Sequence, residues 1–375
     1  MTNRTRTPPH PPRRPHDAVS SRGIDLLYSL VGIPSVSTQE SQAAHFLAGW
    51  MAGNGFSAFV DEGGNAVGIL DGGPGQGGRQ QDIILLGHID TVGGLVPVRI
   101  QNGKLFGRGS VDAKGPLAAF AVAAAGVGPQ PGYRIIVIGA TEEEAVTSRG
   151  AHFALTQYRP ALVVIGEPSG WNRITLGYKG RMLVEVVARQ PVSHTANPIP
   201  SACELAVGYW DRVRERVNEI NVGRQRPWDQ VLPSLRSFDE QTDGLIQTAH
   251  LQLGFRLPPD FGPDDLKDVL RAEAGGCELE FRGEEVAYWS DKNTPLVRAF
   301  LPSIRAQGGQ PGFVLKTGTS DMNIVGPVWR CPIIAYGPGD STLDHTPDEH
   351  VEIAEWERGV AVLAEALRRL TAEAG

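Results

Sequence analysis

Residues 83–90, Ile83-Ile84-Leu85-Leu86-Gly87-His88-Ile89-Asp90, set the fold class of this chain. Four consecutive branched aliphatic residues, with no polar residue between them, fit a strand buried on both faces of a helix-covered sheet. The run stops at a glycine and hands over to His-x-Asp. In an extended chain, residues two apart point the same way, so the imidazole and the carboxylate face one cleft. Two later segments repeat the design. Residues 134–138 are a second buried strand running into Glu142-Glu143-Glu144, and residues 162–165 are a third, ending at Gly166-Glu167-Pro168. Residues 114–127, rich in alanine, and residues 148–158 read as helices between these strands. Strand, polar turn, helix, strand is the order of an α/β sheet, which places ligands at the carboxyl ends of its strands.

Working outward, residues 24–31 form a first helix, halted by Pro34. Thr38 is a candidate N-cap for a second helix, whose buried stripe is Phe46, Leu47, Trp50 and Met51. Short strands follow at 58–60 and 66–70, and then a glycine-rich loop at 72–78. The character changes after Lys179-Gly180-Arg181. Residues 182–188 alternate like a half-exposed strand, and Leu205, Tyr209, Val213 and Val217 mark a helix. Strands at 250–257 and 277–281, with a helix at 264–274 between them, complete a βαββαβ-like block. The expected organisation is a discontinuous metal-binding domain over 23–179 and 291–375. An inserted α+β, ferredoxin-like domain occupies 180–290, and residues 1–22 form a disordered tail. That tail carries five prolines and five arginines and almost nothing apolar.

Composition narrows the function. At 375 residues two domains are the default, and 41% apolar with 21% charged residues suits a globular enzyme. A net charge of -7 argues against a nucleic-acid binder, which needs a basic surface. Cys203, Cys277 and Cys331 are odd in number and far apart, so no disulfide framework is implied, in keeping with a reducing cytoplasm. No apolar run approaches the ~18 residues of a membrane span, and none directly follows Arg13-Arg14 as an export signal requires.

The chemistry lies in residues that end apolar runs or sit in glycine-rich turns. They are His88 and Asp90, Asp112, the Glu142–Glu144 triplet, Glu167, and His345 with His350 as its competitor. Individually each has a plain alternative. Asp112 can cap the alanine-rich helix, and the triplet can be a surface charge run. Together, two imidazoles and several carboxylates without cysteine are the ligand chemistry of a two-zinc hydrolytic site. A glutamate of the triplet suits a general base, and its neighbour a ligand. His45, His152 and His250 fall inside expected secondary structure and read as ordinary packed or surface residues.

With these residues in order, the chain resembles the M20 family of zinc-dependent peptidases and amidohydrolases. The resemblance runs from about residue 24 to 370. It includes Ile33-Pro34-Ser35-Val36-Ser37, the 109–115 turn, Gly166-Glu167-Pro168-Ser169, Gly318-Thr319-Ser320-Asp321 and the His345 segment. It implies that His88 and Glu167 hold one zinc and Glu144 and His345 the other, with Asp112 bridging and cobalt able to substitute. Glu143 would be the general base and Asp90 would orient His88. The family carries Asp-Glu-Glu where this chain has Glu142-Glu143-Glu144, so the base and ligand roles can slip by one position. The inserted domain corresponds to the family's lid and dimerisation unit, and His194 to a lid histidine that stabilises the oxyanion in the partner subunit. Arg256 corresponds to a lid arginine that binds a substrate carboxylate.

Gly177-Tyr178-Lys179-Gly180-Arg181 and the 316–323 segment look most like one branch of the family. Its members release lysine, sometimes ornithine, from the C-terminal glutamate of the acidic amino-group carrier protein LysW, in lysine and arginine biosynthesis. Lys179, Arg181 and Lys316, with Gly318, Thr319 and Ser320, would then bind substrate. The alternatives are a deacylase of a free N-acyl amino acid, of acetylornithine or succinyl-diaminopimelate type, a dipeptidase, or a non-catalytic binding protein of the same fold. No candidate metal ligand is missing, which argues against the last.

Overall fold

The computed structural model describes residues 15–194 and 196–372. In chain order, α1 (Pro15–Val31) and α2 (Ser41–Ala52) precede β1 (Ser57–Val60), β2 (Ala66–Asp71) and β3 (Gln81–His88). Small strands β4 (Arg99–Gln101) and β5 (Lys104–Phe106) lead to α3 (Lys114–Val127) and β6 (Tyr133–Ala140). Then come α4 (Arg149–Gln157), β7 (Leu162–Gly166) and β8 (Arg173–Tyr178). A separate block follows: β9 (Gly180–Pro191), α5 (Ala202–Ile220), β10 (Leu232–Thr242), β11 (Ile246–Leu257), α6 (Pro263–Ala272) and β12 (Glu278–Glu285). The chain returns through β13 (Tyr288–Trp289), α7 (Pro295–Ala306), β14 (Gly312–Lys316) and α8 (Asp321–Trp329), and ends with β15 (Ile333–Ala335), β16 (His350–Glu352) and α9 (Ile353–Ala372).

The main sheet is mixed, with strand order β1-β2-β6-β3-β7-β15-β8-β13 and β14 also on β8. The apolar run that opens β3 lies at its centre, parallel to β6 on one side and β7 on the other. Ile83 to Leu86 are fully buried, as a strand covered on both faces requires. α1, α2, α3, α7 and α9 cover one face, and α4 and α8 the other. Alanines at 118, 119, 121, 123 and 124 let α3 sit close beneath the sheet, with every residue from Lys114 to Ala124 buried. A Cβ on Gly166 would lie 2.9 Å from the Phe120 ring and 3.0 Å from the Gly87 Cα, so the ends of β3 and β7 have no room for a side chain there. Trp356 of α9 locks this packing by donating its indole N–H to the Gly115 carbonyl at 2.8 Å.

The block between Gly180 and Glu285 forms its own antiparallel sheet, order β10-β11-β9-β12, with α5 and α6 packed on it. β9 alternates buried and half-buried residues, and the apolar set faces the stripe Ala206, Tyr209, Val213 and Val217 of α5. A capping box between Ser201 and Glu204 starts α5. A third sheet, β16-β5-β4, ties the segment after His345 to the segment before Asp112. Among the described residues, no helix is long and apolar enough to cross a membrane.

Two local expectations are corrected. α1 begins at Pro15, inside the segment expected to be a structureless tail, and residues 1–14 lie outside the described residues. Thr38 is not a helix cap. It has a φ of 74°, and α2 starts at Ser41 with Glu40 at the N-cap position. The Glu40 carboxylate accepts the Thr38 N–H at 2.8 Å and the Glu142 N–H at 3.2 Å, so this turn supports the glutamate triplet rather than the helix.

Candidate metal centre

Register alone brings the key residues to one level. His88 at the end of β3 stands opposite Ala140 of β6, and Gly87 stands opposite Gly166 of β7. The residues that follow β6 and β7, Glu143, Glu144 and Glu167, therefore emerge beside His88 at the carboxyl edge of the sheet. His88 is buried, with Nδ1 3.0 Å from the Asp90 carbonyl oxygen and 3.4 Å from Asp90 Oδ1. That contact fixes the ring and leaves Nε2 facing the cleft, 3.2 Å from Asp112 Oδ1. The other oxygen of the same carboxylate, Asp112 Oδ2, lies 3.0 Å from His345 Nε2. His345 Nε2 is also 2.8 Å from Glu144 Oε1. Asp112 thus presents one oxygen to each imidazole, the placement a bridging carboxylate needs.

The turn carrying Asp112 is held by a residue to which the sequence reading assigned no role. Glu349 is fully buried, and its Oε1 accepts the N–H groups of Gly109, Val111 and Asp112 at 2.9, 3.1 and 3.2 Å. Its Oε2 pairs with Arg108 at 2.6 Å. Gly109 has a φ of 85°, which a side chain would strain. Replacing Glu349 with glutamine leaves one oxygen for the three N–H groups but removes the charge and the acceptor that pair with Arg108. The expected result is metal affinity weakened by about 10- to 100-fold and a lower Tm, read by chelator competition and thermal melts. Unchanged metal affinity would mean that the turn holds Asp112 without Glu349.

The glutamate triplet divides cleanly. Asp90 accepts the N–H groups of Glu143 at 3.1 Å and Glu144 at 3.0 Å, and the Ser37 hydroxyl at 2.7 Å. It therefore sets the glutamate turn as well as the His88 ring. Glu142, at φ 60°, turns away from the cleft: its carboxylate accepts from the Thr147 hydroxyl and lies 3.9 Å from Arg149. Glu143 and Glu144 face the cleft, with Glu143 Oε2 4.0 Å from His88 Nε2. His350, the competitor of His345, is occupied elsewhere, with Lys104 Nζ at 3.1 Å and its ring against Phe106.

The electrostatics identify what the cluster lacks. Burial pushes the Glu143 and Glu167 carboxyls well above the usual range, and neighbouring carboxylates add to the shift. Burial alone would lower His88, but Asp112 and Asp90 outweigh it and push the imidazole up. Asp112 and Glu144 push His345 up to about 10. Burial opposes the ionised form of Asp112 too, yet the two imidazoles hold it below its ordinary value. Glu143, Glu167, His88 and His345 thus all shift towards holding protons, as groups in a cluster short of positive charge do. One or more ligand atoms of His88, Asp112 and Glu144 already lie within 4.8 Å of one another. This oxygen- and imidazole-rich set fits divalent cations, with Glu167 and His345 flanking the core group.

The profile of peptidase family M20/M25/M40 matches residues 84–369. The chain belongs to the M20 family. A LysW-lysine hydrolase of Deinococcus radiodurans is 46% identical over 94% of this chain and 98% of its own length. A LysW-lysine/LysW-ornithine hydrolase of Saccharolobus islandicus is 26% identical over 94% of this chain and 97% of its own. An M20 metallo-carboxypeptidase of Sulfolobus solfataricus shares the fold with a TM-score of 0.74. It is 17% identical, and the match covers 93% of this chain and 99% of that one.

The M20 cleft has a volume of about 440 Å³ beside the carboxylate cluster, and Arg181, Arg256, Lys316, Gly318 and Thr319 are among the residues that line it. Arg256 donates to the Thr319 hydroxyl at 2.7 Å, Arg181 pairs with Glu285, and Lys316 donates to the Pro168 carbonyl. Two expected substrate contacts lie elsewhere. Lys179 is fully buried and directed away from the cleft, donating to the carbonyls of Pro227 at 2.8 Å and of Gln230. It ties β9 to the 227–230 segment, and burial lowers its ammonium to about 8. Ser320 does not line the cleft; its hydroxyl accepts the Met322 N–H and caps α8. His194 lies after β9 beside a different cavity, lined by residues such as Pro191, Ile199 and Glu240, and makes no contact with the metal cluster of its own chain. Tyr178 and Asp344, to which the sequence reading gave no role, do line the cleft. Only the folded chain shows that the Tyr178 hydroxyl is buried, next to the Ser320 side chain.

Proposed function

We propose that this enzyme hydrolyses the amide joining lysine to the C-terminal glutamate of the carrier protein LysW, releasing free lysine in the cytoplasm. The observation that carries this reading is the 46% identity to the Deinococcus radiodurans LysW-lysine hydrolase, maintained over 94% of the chain. The cleft supports it, because Arg181, Arg256 and Lys316 beside the carboxylate cluster suit a substrate that bears free carboxylates. Ornithine is the second amino acid that the reading admits, as in the Saccharolobus islandicus relative.

In this account His88 and Glu167 would hold one zinc ion and Glu144 and His345 a second, with Asp112 serving both and cobalt able to substitute. When bound, such ions polarise the amide carbonyl and make water acidic enough to attack it near neutral pH. The chain supplies the rest. Glu143 takes the proton from the attacking water and passes it to the leaving α-amine. Asp90 keeps His88 in one orientation and holds the Glu143 turn in place. Arg256, held by Thr319, takes a substrate carboxylate. His194 of a second copy supplies a donor for the oxyanion, with the β9–β12 unit acting as lid and dimer contact. A monomer in size-exclusion chromatography with light scattering would remove that last element.

The test compares the purified, metal-loaded protein on carrier-linked lysine, N-acetyl-lysine and N-acetyl-ornithine. The expected result is release of lysine from the conjugate with kcat/KM higher by about a hundredfold or more. Turnover of the small acyl substrates alone would make the enzyme a deacylase and end the carrier reading.

A further inference from the structure

Among the described residues, five carboxylates line the cleft: Asp112, Glu143, Glu144, Glu167 and Asp344. Four belong to the metal and proton-transfer set. The fifth does not, and its surroundings are unusual. Asp344 is half-buried, and its Oδ1 is enclosed without a hydrogen-bond partner among the described residues. A buried carboxylate oxygen without a donor is costly and uncommon in a folded protein, so a donor from a ligand is its natural complement. The loop does not supply one. Its other acid, Asp340, is used internally, accepting the Thr342 N–H at 2.9 Å and the Thr342 hydroxyl at 2.8 Å. The cations lining the cleft are also engaged: Arg181 with Glu285, Arg256 with Thr319, and Lys316 with the Pro168 carbonyl. Asp344 directly precedes His345, and both line the cleft that holds Asp112, Glu143, Glu144 and Glu167.

We propose that Asp344 is the subsite for a distal ammonium group on the amino acid being released. The inference rests on the lysine-releasing reading and gives it a specificity determinant. The cleft then offers cations to the free carboxylates and, to the side-chain ammonium, one carboxyl group whose Oδ1 has no hydrogen-bond partner among the described residues. Since this contact lies away from the bond that breaks, its loss acts mainly on KM.

The experiment uses carrier conjugates of lysine and of norleucine, which lacks the ammonium, with wild type, Asp344→Asn and Asp344→Glu. Bound metal is measured in each protein. Wild type should prefer lysine by about 10- to 100-fold in kcat/KM, the range of a hydrogen bond to a charged group. Asp344→Asn should lose that preference through a raised KM for lysine, while its norleucine turnover and metal content stay near wild type. Asp344→Glu keeps the charge on a side chain one methylene longer, and should gain ornithine turnover relative to lysine. If Asp344→Asn loses both substrates equally, or loses metal, the residue is structural and the proposal is overturned. Retention of the lysine preference by Asp344→Asn overturns it as well. Failure of wild type to cleave either conjugate removes the carrier reading itself, which separates the two failures.

Discussion

Glu143→Gln is expected to lower kcat by about a hundred- to ten-thousandfold, with KM and bound metal close to wild type. Glutamine has the same shape, and the turn that carries it is fixed through the backbone, because Asp90 accepts the N–H groups of residues 143 and 144. Protein architecture and metal ligands should therefore survive the change. What disappears is a group able to accept a proton and return it. The carboxyl's position favours that duty, since burial and the neighbouring Glu167 and Glu144 raise its affinity for a proton while His88 opposes them. Steady-state kinetics with metal analysis on the same preparation checks the prediction. Loss of metal in the variant would make Glu143 a ligand and move the base to another residue of the turn.

Asp112→Asn is expected to have an effect at least as large through a different route. The carboxylate places one oxygen 3.2 Å from His88 and the other 3.0 Å from His345. An amide keeps one oxygen and replaces the other with an N–H₂ group that repels a cation. The predicted outcome is fewer than two ions per chain and activity reduced by about a thousandfold or more, as expected when several kcal/mol of charge stabilisation are lost. Elemental analysis after dialysis, paired with an activity assay in excess zinc, reads both effects. A variant that retains two ions would show that Asp112 does not join them.

The fold was legible where one physical signal dominated. The apolar runs of β3, β6 and β7 require burial on both faces, and the polar residues that end them are those that meet in the cleft. β10 escaped notice because most of its residues are exposed, so no alternating pattern marks it. Thr38 suits an N-cap by residue type, but a positive φ and the Glu40 carboxylate put it to other use. Lys179 failed as a substrate contact for a related reason. A lysine flanked by tyrosine and glycine reads as a carboxylate binder, whereas burial and the carbonyls of Pro227 and Gln230 direct it into the structure. Glu349 was invisible because it works through the backbone N–H groups of a turn some 240 residues away in sequence, and residue type does not encode such partners. The triplet could be divided only in three dimensions, where Thr147 and Arg149 draw Glu142 out of the cleft.

Anomalous diffraction from crystals of the zinc-loaded protein tests the central claim most directly. Two peaks are expected about 3.5–4 Å apart, one beside His88 and Glu167 and one beside Glu144 and His345, with the Asp112 carboxylate between them. A single peak within the His88, Asp112 and Glu144 group, or none at the cluster, would contradict it.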